Sequence, residues 1–243
     1  MTLKATLQSQ PYHILAKPGD IAERVVMGGD VKRIEMASSF LENPRVINTN
    51  RSYLAYTGKY KGKDVTIIAH GIGGPSIAIV IEELKMLGAK VMIRAGTSGG
   101  LRKEVPVGSA FIFEGAVYEM GGTPGAYIPP PTVFPPVATP EIVIELEKAC
   151  KENSLTCIRG IGASHDAFHT EHIIAQKWYP LGIGAVEMEC ATLLTLARLR
   201  DIKAGCITAV IDNMETVEKI DDKSREELEK KVVKVALDAI VKM

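Results

Sequence analysis

The stretch HGIGGPSIAIVIEELKMLGAKVMIRAGTSGG, residues 70–100, carries a helix and a strand with their punctuation intact. Pro75 sits in the first turn of the apolar run Pro75–Leu87, and Gly88 follows its end. Proline at a helix start and glycine just past its end suit the two unsatisfied termini of a helix. Apolar residues run nearly all round this segment, which predicts a buried helix rather than a surface one. Lys90–Ala95 then reads as an apolar strand ending in a Gly-rich turn, Gly96–Gly100. A buried helix feeding a buried strand is the repeating unit of an α/β protein.

The rest of the chain extends this pattern. Arg24–Met27 reads as a strand leading into Gly28-Gly29-Asp30, and Asp30 is placed to cap a helix running to about Leu41. Tyr53–Tyr60 and Asp64–His70 read as a hairpin around Lys61-Gly62. Ala110–Tyr118, Leu155–Ala163 and Lys203–Ile211 read as further strands, and Pro140–Asn153, Glu189–Arg200 and Lys223–Val241 as helices. Gly121–Pro140, rich in Pro and Gly, is expected to be a long functional loop. No linker or repeat divides the chain, so residues 1–243 are expected to form one α/β domain with helices on both sides of a central sheet. Ligands in such sheets gather at strand ends.

Composition narrows the function. Lys plus Arg and Asp plus Glu both number 29, so the net charge is zero, unlike the basic excess of a nucleic-acid binder. The N-terminal stretch lacks an apolar leader, and the longest apolar run, Ile77–Ile81, is too short to span a bilayer. A cytoplasmic enzyme is expected. The four cysteines, Cys150, Cys157, Cys190 and Cys206, form no metal-type spacing. Reduced buried thiols are the expectation, with a Cys150–Cys157 bridge the alternative. The five histidines also show no metal-site spacing, so neither a metal nor a resident cofactor is expected.

Four constellations could carry chemistry. Gly28-Gly29-Asp30 joins a strand end to a helix start, where backbone N–H groups can hold an anion, with Arg33 one turn further on. The plain alternative is an ordinary capped helix. The dinucleotide pattern GxGxxG is not fulfilled here or at Gly71-Ile72-Gly73-Gly74. Arg94 closes an apolar strand, where its charge is costly unless something negative meets it, and Thr97 adds a hydroxyl. Arg94 is thus either a phosphate fork or half of a structural ion pair. Val186-Glu187-Met188-Glu189 opens a helix, and an extended backbone there would turn both carboxylates to one side. The plain alternative is first-turn acids favoured by the helix dipole, which explains Glu189 better than Glu187. Asp212 ends a strand, as an acid of a site or as a turn residue.

Taken together, Gly29-Asp30 with Arg33, NTNRSYLAYTGKYKGK (48–63), HGIGGPSIAIVIEELKMLGAK (70–90), IRAGTSGG (93–100) and VEMECATLL (186–194) resemble the nucleoside phosphorylase family. That family includes hexameric purine nucleoside phosphorylases, uridine phosphorylases and methylthioadenosine phosphorylases. The resemblance implies a central mixed, partly barrel-like sheet flanked by helices, with inorganic phosphate as co-substrate. It implies phosphate on Gly29, Arg33, Arg94 and Thr97, with Arg51 reaching the phosphate of a neighbouring subunit. Glu189 would hold the ribose hydroxyls, Met188 would pack on the sugar, and His13 would arrive from the neighbour. Phe168 would stack on the base with Glu187 nearby. Asp212 would act at purine N7, assisted by Arg225. The working unit would be a homo-oligomer, a hexamer built as a trimer of dimers.

The resemblance leaves three functions in contention. A phosphorylase needs the anion-binding arginines. A nucleosidase using water needs a carboxylate base there instead, and a sensor would have no use for Asp212. Purine nucleosides are the expected substrates, with uridine the alternative. His172 and Ile174 stand where the uridine enzymes place a Gln and an Arg for uracil, so both uracil contacts are missing. Against this, Ile211 replaces the Ser of the purine enzymes, and the loop segment FPPVATPE resembles the uridine enzymes.

Overall fold

The computed structural model describes residues 10–128 and 130–243. Residues 1–9, part of the stretch read above for a leader, lie outside it. In chain order the elements begin with β1 (Arg24–Gly28), α1 (Val31–Ser38), β2 (Glu42–Asn48), β3 (Ala55–Tyr60) and β4 (Lys63–Ala69). There follow α2 (Gly74–Met86), β5 (Val91–Gly100), β6 (Ala110–Tyr118), α3 (Thr123–Tyr127), α4 (Pro140–Glu152) and β7 (Cys157–Ser164). The chain continues through α5 (Glu171–Trp178), β8 (Ala185–Glu187), α6 (Cys190–Leu199), β9 (Lys203–Asn213), β10 (Glu218–Lys219) and α7 (Asp222–Ile240).

The sheet order is β10-β9-β6-β7-β8-β5-β1-β4-β3-β2, and β9 also pairs with β5. That second pairing closes β5, β9, β6, β7 and β8 into a barrel, with β1, β4, β3 and β2 continuing outward from β5. The partly barrel-like mixed sheet is therefore present. Closure abolishes the edges of the buried strands, and the outer end is the exposed, irregular β2 with its register shifts. β1, β4, β5 and β9 run parallel, so their carboxyl ends emerge together.

The core explains these elements. Val25, Val26, Met27, Ile67, Ile68, Met92 and Ile93 are buried on the central strands, and Ile77, Val80, Ile81 and Leu84 of α2 cover them. At about 25 cal/mol per Å² of apolar area, each such side chain contributes roughly 1.5–3 kcal/mol. Asp30 caps α1 by accepting from the Lys32 N–H, as expected, although α1 ends at Ser38 rather than near Leu41.

Three expectations need correction, and one strand, β2, was not expected. Gly96–Gly100 is not a turn, because β5 continues through Gly100. Its glycines admit neighbouring side chains: a Cβ on Gly99 would lie 2.6 Å from Asp212 Oδ1, and one on Gly100 2.7 Å from Asn213 Nδ2. The expected loop over 121–140 contains the short α3. β2 was hidden because it is almost wholly exposed and so lacks a period-two apolar signal. Cys150 and Cys157 are bridged, joining the end of α4 to the start of β7, while Cys190 and Cys206 are free and buried.

Candidate active site

Arg94 lies on β5, buried among groups that satisfy its charge. Its Nη1 is 3.2 Å from Glu187 Oε2, and its Nη2 donates to Glu189 Oε2. The guanidinium folds back over Gly96, where any Cβ would collide with it. Burial works against the Arg94 charge, but Glu189 and Glu187 outweigh it and hold the pKa above its usual value. Nε has no hydrogen-bond partner among the described residues. A buried guanidinium with an unused donor is suited to an oxyanion.

The two carboxylates differ. Burial pushes the Glu189 pKa up, but Arg94, His70 and the Gly73 N–H overcome it and keep the group below its ordinary value. Its Oε1 accepts from the Gly73 N–H at 2.5 Å. Glu187 is instead raised, because burial exceeds the help from Arg94. Glu187 accepts from Ser164 Oγ at 2.5 Å, Glu189 N at 2.8 Å and Cys190 N at 2.9 Å. Its oxygens are turned onto the start of α6 and onto Arg94. Met188, half-buried, lies between the two acids.

The carboxyl end of β1 adjoins the interior of β5, the two strands pairing in register through Met27 and Arg94. A Cβ on Gly29 would lie 2.9 Å from the Gly71 carbonyl and 3.6 Å from His70 Cε1, so glycine is needed for this close approach. Burial depresses the His70 pKa to about 3, so the ring is neutral. Arg33 is buried, with Nε 3.0 Å from Glu229 Oε2 and Nη1 3.4 Å from the Ala95 carbonyl. Thr97 is half-buried on β5.

Asp212 sits at the end of β9 beside Gly99. Burial raises its pKa, and Lys219 and Arg225 only partly offset this. Such a carboxyl is better able to hold a proton for donation. Arg225 does not bond to Asp212. Its Nε is 2.7 Å from Glu229 Oε1, and Glu229 also holds Arg33. The expected assistance is therefore a field effect from an arginine anchored elsewhere. Phe168, 62% exposed, stands in a short 3-10 turn just before α5.

Two expected residues stay apart from this cluster. His13 Nδ1 is 2.7 Å from Glu83 Oε1 of α2, and the backbone N–H groups of Tyr12, His13 and Ile14 also donate to Glu83. Arg51 is exposed, has a left-handed φ of 52°, and makes no ion pair among the described residues. Among the described residues there is also no cluster of three or more His, Cys, Asp or Glu suited to a metal, and no helix is long and apolar enough to cross a membrane.

Glu171 is the site residue that sequence reasoning passed over. It opens α5 and is buried, and its pKa rises to about 7 through burial, with further repulsion from Asp212, Glu187 and Glu189. The available signal was the spacing Glu171, Ala175, Trp178, which lies on one helical face.

A family model described as the phosphorylase superfamily matches residues 23–242. A uridine phosphorylase of Thermococcus kodakarensis is 35% identical over 227 residues, covering 88% of this chain and 81% of the relative. A guanosine phosphorylase of Halorubrum lacusprofundi is 30% identical, covering 96% and 99%. A DeoD-type purine nucleoside phosphorylase of Clostridium perfringens is 34% identical, covering 94% and 98%. The crystal structure of a uridine phosphorylase from Vibrio fischeri superposes with a TM-score of 0.88 at 28% identity, covering 99% of this chain and 100% of that one. The chain belongs to the phosphorylase superfamily. It is an enzyme of the nucleoside phosphorylase kind.

Proposed function

We propose that the enzyme cleaves the N-glycosidic bond of purine nucleosides with inorganic phosphate, releasing free base and ribose 1-phosphate. The observation that carries this reading is the pairing of an anion cradle with a raised acid. Gly29 and Arg33 follow the end of β1, Arg94 and Thr97 lie on the adjoining β5, and Asp212 stands at the end of β9 beside it.

The chemistry follows from that placement. Stretching the C1′–N9 bond leaves positive charge on the sugar and sends the bonding pair to the purine. Asp212 delivers a proton to N7, neutralising the departing base, an effect worth on the order of 10²–10⁴ in rate. A phosphate oxygen then bonds to C1′. Arg94 and the backbone of Gly29 position that dianion, and Thr97 adds a donor. Glu189, paired with Arg94, turns to the ribose hydroxyls as phosphate takes over the guanidinium. Arg33, tied through Glu229 to Arg225, joins the cradle to the acid's surroundings. Phe168 stacks on the base and Met188 packs on the sugar. The reading requires no cofactor beyond phosphate as co-substrate. We place it in the cytoplasm as a homohexamer in which Arg51 and His13 complete a neighbouring site.

Uridine cleavage is the second reading, favoured by the Thermococcus and Vibrio relatives, which are uridine phosphorylases. Guanosine and purine enzymes match over comparable lengths. Exposed His172 and apolar Ile174 offer uracil little at the places where the uridine enzymes hold it. Inosine, guanosine, adenosine, methylthioadenosine and uridine should be assayed with and without phosphate by following free base. Purine cleavage that requires phosphate is expected. Equal rates without phosphate would make the enzyme a nucleosidase, and a higher kcat/KM for uridine would overturn the purine reading.

A further inference from the structure

Glu171 is 7% exposed, and its backbone N–H donates to the Phe168 carbonyl, yet its carboxyl group makes neither a hydrogen bond nor an ion pair to any described residue. A carboxyl group this enclosed usually has a protein partner, and one without is available to a ligand that reaches it. The helix fixes where it faces. Glu171, Ala175 and Trp178 are the buried residues of α5, spaced so that they share one face. Ala175 and Trp178 pack into a cluster with Leu101, Ala163, Ile183 and Val186. Leu101 directly follows β5, and Val186 precedes Glu187 on β8. One turn nearer the helix start, Glu171 therefore overlooks the strand ends that carry Glu187 and Asp212, three residues beyond the exposed ring of Phe168.

We propose that Glu171 reads the six-membered-ring edge of the purine, opposite the N7 side assigned to Asp212, and so sets the choice between 6-oxo and 6-amino bases. This rests on the purine reading above. Guanine offers two donors on that edge, N1–H and N2–H, which an ionised carboxylate accepts as a pair. Adenine offers an acceptor, N1, and a donor, N6–H, which a protonated carboxyl matches with its O–H and its carbonyl oxygen. Burial and the neighbouring carboxylates bring Glu171 to about 7, so both forms are populated near neutrality. Adenosine is favoured at lower pH and guanosine at higher pH.

Other charged groups also bear on this face. They are Glu187 on β8, Glu189 at the start of α6, Arg94 on β5, and Asp212 on β9 with Lys219 and Arg225 acting on it. His165 at the end of β7 stacks edge-on against Trp178 and lies 3.4 Å from Glu119, while His172 and Lys177 lie on α5 itself. Together with the second ionisation of phosphate, these act on both substrates and cancel in a ratio.

The test measures kcat/KM for guanosine and adenosine from pH 5.5 to 8.5, in the wild type and in Glu171→Gln. The guanosine-to-adenosine ratio should rise about tenfold or more with pH in the wild type and lie flat in the variant. Calorimetry of free adenine and guanine binding to the wild type, in buffers of different ionisation enthalpy, needs no variant. Adenine should bring proton uptake above pH 7, and guanine proton release below it. Purines outperforming uridine while the wild-type ratio stays flat, or equal proton exchange for both bases, would overturn the role of Glu171 alone. Uridine outperforming both purines would remove the purine reading and this inference with it.

Discussion

Replacing Arg94 by Leu removes the one cation between two buried carboxylates and leaves the carboxylates in place. Glu187 and Glu189 are both buried, and Glu189 is drawn below its ordinary pKa only because Arg94 and its other donors overcome burial. Breaking a buried ion pair by deleting one partner costs about 3–5 kcal/mol. For a chain of this length each kcal/mol moves Tm by roughly 2–4 °C, so a fall on the order of 10 °C is expected at pH 7. The pH dependence identifies the cause. In the wild type the depressed Glu189 contributes stability that is present above its unfolded value of 4.5 and is lost as pH falls through its folded pKa. In the variant burial acts without its main opponent, so the folded pKa of Glu189 moves above the unfolded one and that of Glu187, already raised, rises further. That contribution is present at low pH and is lost as pH rises. The Tm gap should therefore be small near pH 4.5 and widen towards pH 8, read by circular dichroism melts on both proteins. A gap of constant size across that range would refute the electrostatic account and leave only lost packing.

Gly99→Ala, which puts a Cβ 2.6 Å from Asp212 Oδ1, should lower kcat on purines by about tenfold or more while leaving the phosphate KM nearly unchanged. A large KM change with kcat intact would show that the glycine serves the anion site instead. Replacing Cys150 and Cys157 by Ser opens a link between residues 7 apart, and loop-closure entropy puts the loss at about 2.5 kcal/mol. Denaturant melts that coincide for the variant and the oxidised protein would contradict this. An Arg51→Ala chain mixed with an Arg94→Ala chain should recover activity, since some shared sites would regain both arginines. No recovery despite demonstrated subunit exchange would count against sites completed by a neighbour.

Most of the frame was legible because its elements are strongly apolar and cleanly punctuated. Pro75 and Gly88 bracket α2, and the Asp30 cap is present as expected. The Gly96–Gly100 run misled because glycine usually signals a turn. Here it clears a strand interior for Arg94 and Asp212, a tertiary requirement that no local pattern displays. Of the two alternatives weighed for Arg94, the ion pair is present, made with two glutamates, while Nε has no hydrogen-bond partner among the described residues. The tie between Arg33 and Arg225 through Glu229 joins positions 196 and 4 residues apart in the chain, so no local reading could find it. Glu171 was missed because a short amphipathic helix with one acid on its inner face looks like any surface helix.

The pairing of β5 with β9 slips by one residue between Ser98 and Gly99, so that Val210 faces Ser98 and Asp212 faces Gly99, with Ile211 as the extra residue. Side chains alternate along a strand, and one inserted residue reverses the sense of everything beyond it. Counting back from Asp212 without that insertion would put it on the side of Val210, Thr208 and Cys206, inside the closed barrel. With it, Asp212 emerges on the side of Gly99. The position of the acid is thus set by chain length at a single point rather than by the identity of its neighbours. Were the ladder to run on regularly past Ser98 with Ile211 retained, Ile211 would face Gly99 and Asp212 would face Gly100, taking the carboxylate from its place without substituting a single active-site residue.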